Sequence, residues 1–261
     1  MIIVSGCSWA CGEWQMAELA PPGGTILHQG LSQYIADSGL EVINLGIRAG
    51  SNLQVCDRIE SWILNNPDVK IDKIIVLQTE YTRDLFMNGT VLKSKNNPID
   101  CDWSNMSMIP FDFSRHDSLR NLMLRKFYER LSDIVEITDS KVYLIGGLCD
   151  TMTSDFVESC FAIKVACQSM INLLINDQPD IENPVFSLYH IGHLGELDAI
   201  NQFKRRLSSE ESLKLLTAMQ QGVDRAGLLL DNPQWFRPDG WHPNRHGHKK
   251  LFDYLVREHI L

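Results

Sequence analysis

The chain has 261 residues, of which 44% are hydrophobic and 22% charged, a composition that is ordinary for a globular protein with one large domain. Its net charge of −9 leaves no basic surface to attract phosphate groups, which argues against binding of nucleic acid or of anionic membranes. Seven irregularly spaced cysteines are typical of reduced thiols and no signal peptide is recognisable, so we expect a cytoplasmic protein.

Short apolar segments predict β-strands that alternate with helices along the chain. The predicted strands cover residues 1–5, 41–45, 71–78 and 141–145. The third segment, IDKIIVLQ, is almost continuously apolar, as in a strand that is buried on both faces. Apolar residues at helical spacing predict helices at residues 26–37, 52–64 and 117–137. This alternation indicates βαβ units and therefore a parallel sheet.

Two segments interrupt the alternating pattern. Residues 84–116 are polar and too long for a simple connection, so we expect an inserted lid or binding loop there. Residues 150–238 have a mainly helical pattern. Because no repeat or interdomain linker is visible, we expect a single domain over residues 1–261, with insertions in these two segments.

A serine near the start of the chain and a histidine near its end form a candidate catalytic pair. Ser8 directly follows the first predicted strand, and a serine nucleophile needs a base from elsewhere in the chain. His242 lies three residues after Asp239, whose carboxylate can orient the imidazole and stabilise its protonated form. Pro243 favours an extended conformation at His242 and suits the first turn of a helix, which predicts a loop-to-helix junction.

These motifs resemble those of the SGNH/GDSL hydrolase family. Its first block is similar to Gly6-Cys7-Ser8, and its last block to the segment from Asp239 to His242. The resemblance implies a three-layer α/β/α sandwich, flavodoxin-like, with a central, mostly parallel sheet. It also implies an ester hydrolase without a cofactor, in which Ser8 attacks, His242 acts as base and then acid, and Asp239 orients His242. A small-molecule or carbohydrate ester, such as an O-acetyl group, is the expected substrate.

The second family block, which supplies a glycine N–H to the oxyanion hole, resembles the segment NLGIRAGSN. Gly50 is the expected donor beside the N–H of Ser8, and Ala49 or Gly46 takes this position if the alignment is shifted.

The third family block departs from the family pattern. The family has an asparagine after the third strand, whereas this chain has LQTEYTRD. Thr82 aligns nearest to the missing asparagine and is the expected third oxyanion donor, while Asn52, Thr79 and Arg83 are candidate substrate-binding residues. A missing oxyanion donor costs about 3 kcal/mol of transition-state stabilisation.

Other interpretations of the same residues remain open. The missing asparagine is compatible with a non-catalytic binding protein of the same fold. A metal-dependent hydrolase would use cysteines and histidines near the two motifs, namely Cys7, Cys11, His242, His246 and His248. The tryptophans near the motifs either shape a substrate pocket or pack in the core: Trp9, Trp14 and Trp241.

Overall fold

The protein is described from a computed structural model. The structure describes residues 1–14, 26–48, 50–79, 84, 116–147, 151, 163–181, 227–239 and 242–261, with the backbone alone for residues 116–121. None of the helices in these ranges has both the length and the apolar character that are needed to cross a membrane.

The centre of the fold is a five-stranded parallel sheet with the strand order β4-β1-β5-β6-β7. Its strands, in chain order, are β1 (Ile2–Gly6), β4 (Val42–Asn44), β5 (Lys73–Gln78), β6 (Lys141–Gly146) and β7 (Ile163–Cys167). Ile3 pairs with Ile43 on one side and with Ile74 on the other, so β1 lies inside the sheet. A separate antiparallel pair is formed by β2 (Glu13–Trp14) and β3 (Ile26–His28).

Helices cover both faces of the sheet, because successive residues of its strands alternate between two apolar cores. The helices are α1 (Ser8–Cys11), α2 (Leu31–Asp37), α3 (Asn52–Asn65), α4 (His116–Thr138), α5 (Met170–Asn176) and α6 (Arg245–Arg257). On β5, Ile75 packs in one core with residues of α2, α5 and α6, whereas Ile74 packs in the other with residues of α3 and α4. The predicted three-layer α/β/α sandwich with a parallel sheet is therefore confirmed.

The boundaries of the elements correct three predictions. Ile26–His28 is a strand instead of the start of a helix, because it pairs with β2, and α2 begins only at Leu31. The segment predicted to be mainly helical contains β7, a fifth strand beside β6. Pro243 precedes α6 instead of lying in its first turn, because Asn244 is the N-cap and accepts a hydrogen bond from Gly247 N.

The chain order places a crevice at the carboxyl end of β1. The connections leave β1 toward β4 on one side of the sheet, and α3 then crosses to β5 on the other side. Ligands of open α/β sheets bind outside the carboxyl ends of the strands where the strand order reverses in this way. Gly6 lets β1 end close to β5, because a Cβ there would lie 2.5 Å from the carbonyl oxygen of Leu77. Ser8 comes two residues after the end of β1 and therefore lies at this edge of the sheet.

Candidate active site

Ser8 is the first residue of the short helix α1 and lies directly beyond the end of β1. Only 7% of the residue is exposed, yet its Oγ lies 3.0 Å from Nε2 of His242. The first amides of a helix have no acceptor within the helix, so the N–H of Ser8 is one of the groups that α1 does not use internally. The hydroxyl and the amide of Ser8 are thus both at the sheet edge.

Asp239 contacts His242 in two places. Its Oδ2 lies 2.9 Å from the ring Nδ1, and its Oδ1 accepts a hydrogen bond from the backbone N of His242 at 3.1 Å. A carboxylate is an acceptor, so the proton of a neutral imidazole resides on Nδ1, and Nε2 is left to accept from the hydroxyl of Ser8. The three side chains therefore form a continuous line of two hydrogen bonds, in the arrangement that activates a serine.

The segment that carries Asp239 and His242 is closed by backbone contacts. The N–H of Arg237 donates to the carbonyl oxygen of His242 at 2.9 Å, and Phe236 and Pro243 form an isolated antiparallel bridge. The N–H of Asn244 then donates to the carbonyl oxygen of Trp235 at 2.9 Å. This ladder holds the loop closed before α6 begins, which fixes the position of His242.

The two residues of β2 connect the serine segment to both ends of the histidine loop. Glu13 accepts hydrogen bonds from the backbone N, Nε and Nη2 of Arg245, the first residue of α6. The carbonyl oxygen of Trp14 accepts from Nη2 of Arg237 at 2.9 Å. The ring of Trp14 meets the His242 imidazole edge-on, with the ring centres 4.7 Å apart. Arg237 and Trp14 thus contact the site directly.

The sequence indicates only a pocket or core position for Trp14, and it does not single out Arg237. The two residues are 223 positions apart, so no local pattern shows that they meet. The only signal was the proximity of each residue to a motif, Trp14 to Ser8 and Arg237 to Asp239. Trp9, by contrast, is fully buried and packs in the core.

The structure gives partners to the glycine amides considered for the oxyanion hole. The N–H of Gly50 donates to the carbonyl oxygen of Ile47 at 2.9 Å. The N–H of Gly46 donates to Oδ1 of Asn44 at 2.8 Å. Ala49 lies outside the described residues. If Gly50 is an oxyanion donor, its N–H must either break its hydrogen bond to Ile47 or be shared between that carbonyl oxygen and the substrate.

Asn52 and Thr79 are both buried and bind each other. Nδ2 of Asn52 donates to the carbonyl oxygen of Thr79 at 2.9 Å, and the N–H of Thr79 donates to Oδ1 of Asn52 at 3.0 Å. In addition, Leu53 N donates to Oδ1 of Asp84 at 2.8 Å. The residues on either side of segment 80–83 are thus both attached to the first turn of α3. Thr82 and Arg83 lie outside the described residues.

The cysteines and histidines that were candidates for a metal site do not assemble into one in the described part of the chain. No group of three or more His, Cys, Asp or Glu side chains there could hold a metal ion. Cys7 and Cys11 are buried free thiols, and Sγ of Cys11 donates to the carbonyl oxygen of Cys7. Cys11 contacts its own helix, as small buried residues do.

This chain is similar to several solved structures, among them two bacterial proteins. No family model matches the chain, and no curated protein matches it. A lipase/acylhydrolase from Enterococcus faecalis is 16% identical, covering 98% of this chain and 94% of its own, with a TM-score of 0.35. The protein YxiM from Bacillus subtilis is 15% identical, covering 99% of this chain and 56% of its own, with a TM-score of 0.40.

Proposed function

We propose that this protein is a serine hydrolase of the SGNH/GDSL type that cleaves an ester. The observation that carries this proposal is the line of contacts from Ser8 through His242 to Asp239. Its two distances, 3.0 Å and 2.9 Å, are hydrogen-bond distances, and the serine lies at the carboxyl edge of a parallel sheet. Three residues from opposite ends of the chain meet in the order that nucleophilic catalysis needs.

The proposed reaction proceeds in two balanced stages. In the first, Nε2 of His242 accepts the hydroxyl proton while Oγ of Ser8 forms a bond to the acyl carbon. His242 then returns that proton to the departing alcohol oxygen as the ester C–O bond breaks. In the second stage a water molecule loses a proton to His242 and attacks the acyl-serine. The carboxylic acid leaves, and the proton returns to Ser8.

The developing negative charge on the acyl oxygen needs donors that point at it. The N–H of Ser8 is the first proposed donor, because it belongs to the opening turn of α1. Gly50 and Thr82 remain the second and third proposed donors. Because Gly50 N donates to Ile47 in this structure, its contribution requires rearrangement and is smaller than that of a donor already in place.

The proposed substrate is a small-molecule or carbohydrate ester with a small acyl group, and the proposed location is the cytoplasm. We propose no nucleic-acid or membrane partner, since the net charge is −9. Asn52, Thr79 and Arg83 remain proposed substrate-binding residues. For Asn52 and Thr79 the mutual hydrogen bonds favour an indirect contribution, through the position of segment 80–83.

A non-catalytic binding protein on the same fold is the second candidate. It is favoured by the missing asparagine and by the amides of Gly46 and Gly50, both of which already have acceptors. The two candidate functions differ in one measurable property, because only the hydrolase converts an ester to products.

A panel of acetyl, butyryl and longer acyl esters of sugars and small alcohols separates the two candidates. We expect the wild-type protein to hydrolyse at least one class of ester and the Ser8→Ala variant to hydrolyse none. Ser61→Ala, a replacement in α3, is the matched control and should keep wild-type rates. If binding of an ester is measurable while hydrolysis stays at background for wild type, the binding protein is the correct reading.

A further inference from the structure

We propose that Arg237 is a positioning residue that orients Asp239 and makes His242 harder to protonate. This inference rests on the proposed function for its importance in turnover, although its effect on His242 is measurable without any substrate. The guanidinium of Arg237 contacts Asp239 and Trp14, so its charge acts on His242 through these two neighbours.

The guanidinium of Arg237 contacts both groups that flank His242. Its Nε lies 3.7 Å from Oδ2 of Asp239, the same oxygen that lies 2.9 Å from Nδ1 of His242. Its Cζ lies 4.5 Å from the ring centre of Trp14, which in turn meets the imidazole edge-on. Nη2 donates to the carbonyl oxygen of Trp14. The cation is thus fixed from two sides.

The burial of Arg237 makes a purely structural role a poor explanation. Only 4% of its side chain is exposed, and burial lowers the pKa of its guanidinium, the usual sign of a desolvated cation. Nη1 is buried and has no hydrogen-bond partner among the described residues. Taking a charge out of water is unfavourable, and an apolar side chain at this position would be less costly. A charge retained beside Asp239 points to an electrostatic effect on the Asp239–His242 pair.

Charged groups of both signs also lie beside Trp14, which contacts His242. From β2 comes Glu13, which is paired with Arg245 of α6. From the segment after β4 comes Arg48, whose Cζ lies 5.0 Å from the ring centre of Trp14. Two histidines among the described residues also lie in this region, His28 of β3 and the buried His248 of α6. Among the described residues, Asp239 contacts the His242 ring directly, and Arg237 contacts both Asp239 and Trp14.

A positive charge at this place opposes the protonation of His242 and draws part of the Asp239 charge away from it. Both effects keep the imidazole neutral at lower pH, the form in which Nε2 accepts the serine proton. Removal of the charge has the reverse effect. The acid limb of the rate profile and the titration of the imidazole should then both move to higher pH.

The test compares Arg237→Gln with wild type by NMR titration of the His242 ring, assigned by its loss in His242→Gln. Glutamine keeps an N–H donor for the carbonyl oxygen of Trp14 but has no charge. We expect the titration midpoint to rise by about one pH unit, the size of shift that a charge a few Å away causes. Arg257→Gln, at the exposed end of α6, removes the same charge far from the site and should leave the midpoint unchanged.

Arg237→Lys completes the test because lysine keeps the charge but cannot contact Asp239 and Trp14 with two separate nitrogens. We expect a midpoint near that of wild type, with several-fold slower fluorophosphonate labelling of Ser8. An unchanged or lower midpoint in Arg237→Gln would overturn the inference, as would an equal rise in Arg237→Lys. If Arg237→Gln does not fold, Arg237→Met, which also removes the charge, takes its place with the same expected rise and the same contradicting outcome. Failure of wild type to be labelled would count against the proposed function and leave the NMR result standing.

Discussion

Asp239 contacts His242 at both its ring and its backbone: Oδ2 lies at hydrogen-bond distance from Nδ1, and Oδ1 accepts a hydrogen bond from the main-chain nitrogen. One carboxylate therefore sets the tautomer of the imidazole and also the turn from which it projects. Mutations can separate these two contributions.

Replacement of Asp239 by asparagine should leave the fold intact while reducing turnover severely. The amide oxygen of asparagine can still accept from the backbone N–H, whereas its NH2 group favours the wrong ring tautomer. In a serine protease this change lowers kcat about 10⁴-fold, and we expect a loss of similar order. Turnover and thermal unfolding of Asp239→Asn should be measured together with Asp239→Ala. A fully active Asp239→Asn would contradict the proposed role.

Ser8→Ala and His242→Ala should each reduce turnover to near background, and the double variant should be little worse. The reason is that a nucleophile and its base act as one unit, so removal of either already abolishes the covalent route. Steady-state kinetics on the best ester substrate provide the measurement. Small losses that simply add in the double variant would show that the two residues work independently.

The buried histidine of α6 should make the protein less stable at acid pH. His248 is fully buried, its two ring nitrogens have no hydrogen-bond partner in the part of the chain that the structure describes, and burial lowers its pKa to about 3. Below pH 6.5 the unfolded chain binds a proton at this residue that the folded protein does not, so stability falls as the pH drops toward 3. The loss amounts to about 2 kcal/mol between pH 6.5 and pH 5.

Urea unfolding at pH 7 and pH 5 tests this prediction with a control on the same helix. His248→Leu should show a smaller loss of unfolding free energy between the two pH values than wild type. His246 is exposed two residues earlier, so His246→Gln should behave as wild type. An equal loss in His248→Leu and wild type would mean that another group titrates.

Thr82 and Arg83 should affect different kinetic constants. A threonine hydroxyl can donate one hydrogen bond where the family has an amide, so Thr82→Val should lower kcat with little change in KM. Arg83 is a permanently charged, forked donor, so Arg83→Ala should mainly raise KM for an anionic substrate. Kinetics on a matched pair of neutral and anionic esters measure both. If Thr82→Val mainly raised KM and Arg83→Ala mainly lowered kcat, the two roles would be exchanged.

Local sequence patterns predict much of the fold. The predictions that are wrong concern segments whose structure depends on contacts with distant parts of the chain. The strand Lys73–Gln78 is nearly continuous in apolar residues, and its burial on both faces agrees with that pattern. Ile26–His28 instead becomes a strand by pairing with β2, a contact that helical spacing does not report. The short β7 is a strand because it pairs in parallel with β6.

The candidate site shows the same division. Ser8, Asp239 and His242 can be predicted from the sequence because each lies in a short motif with a recognisable spacing. Arg237 was missed because its relation to Trp14 and Asp239 exists only after the two ends of the chain meet. The assignment of the oxyanion hole needs backbone geometry, since an amide is present at every residue except proline.

Covalent labelling with a fluorophosphonate, followed by peptide mass spectrometry, tests the central claim most directly. The reagent traps a serine whose proton is removed by a neighbouring base, and it needs no knowledge of the natural ester. We predict one adduct on Ser8 in wild type and in Ser61→Ala, with no labelling of Ser8→Ala and strongly slowed labelling of His242→Ala. Labelling that persists at another residue in Ser8→Ala, or none in folded wild-type protein, would contradict the claim.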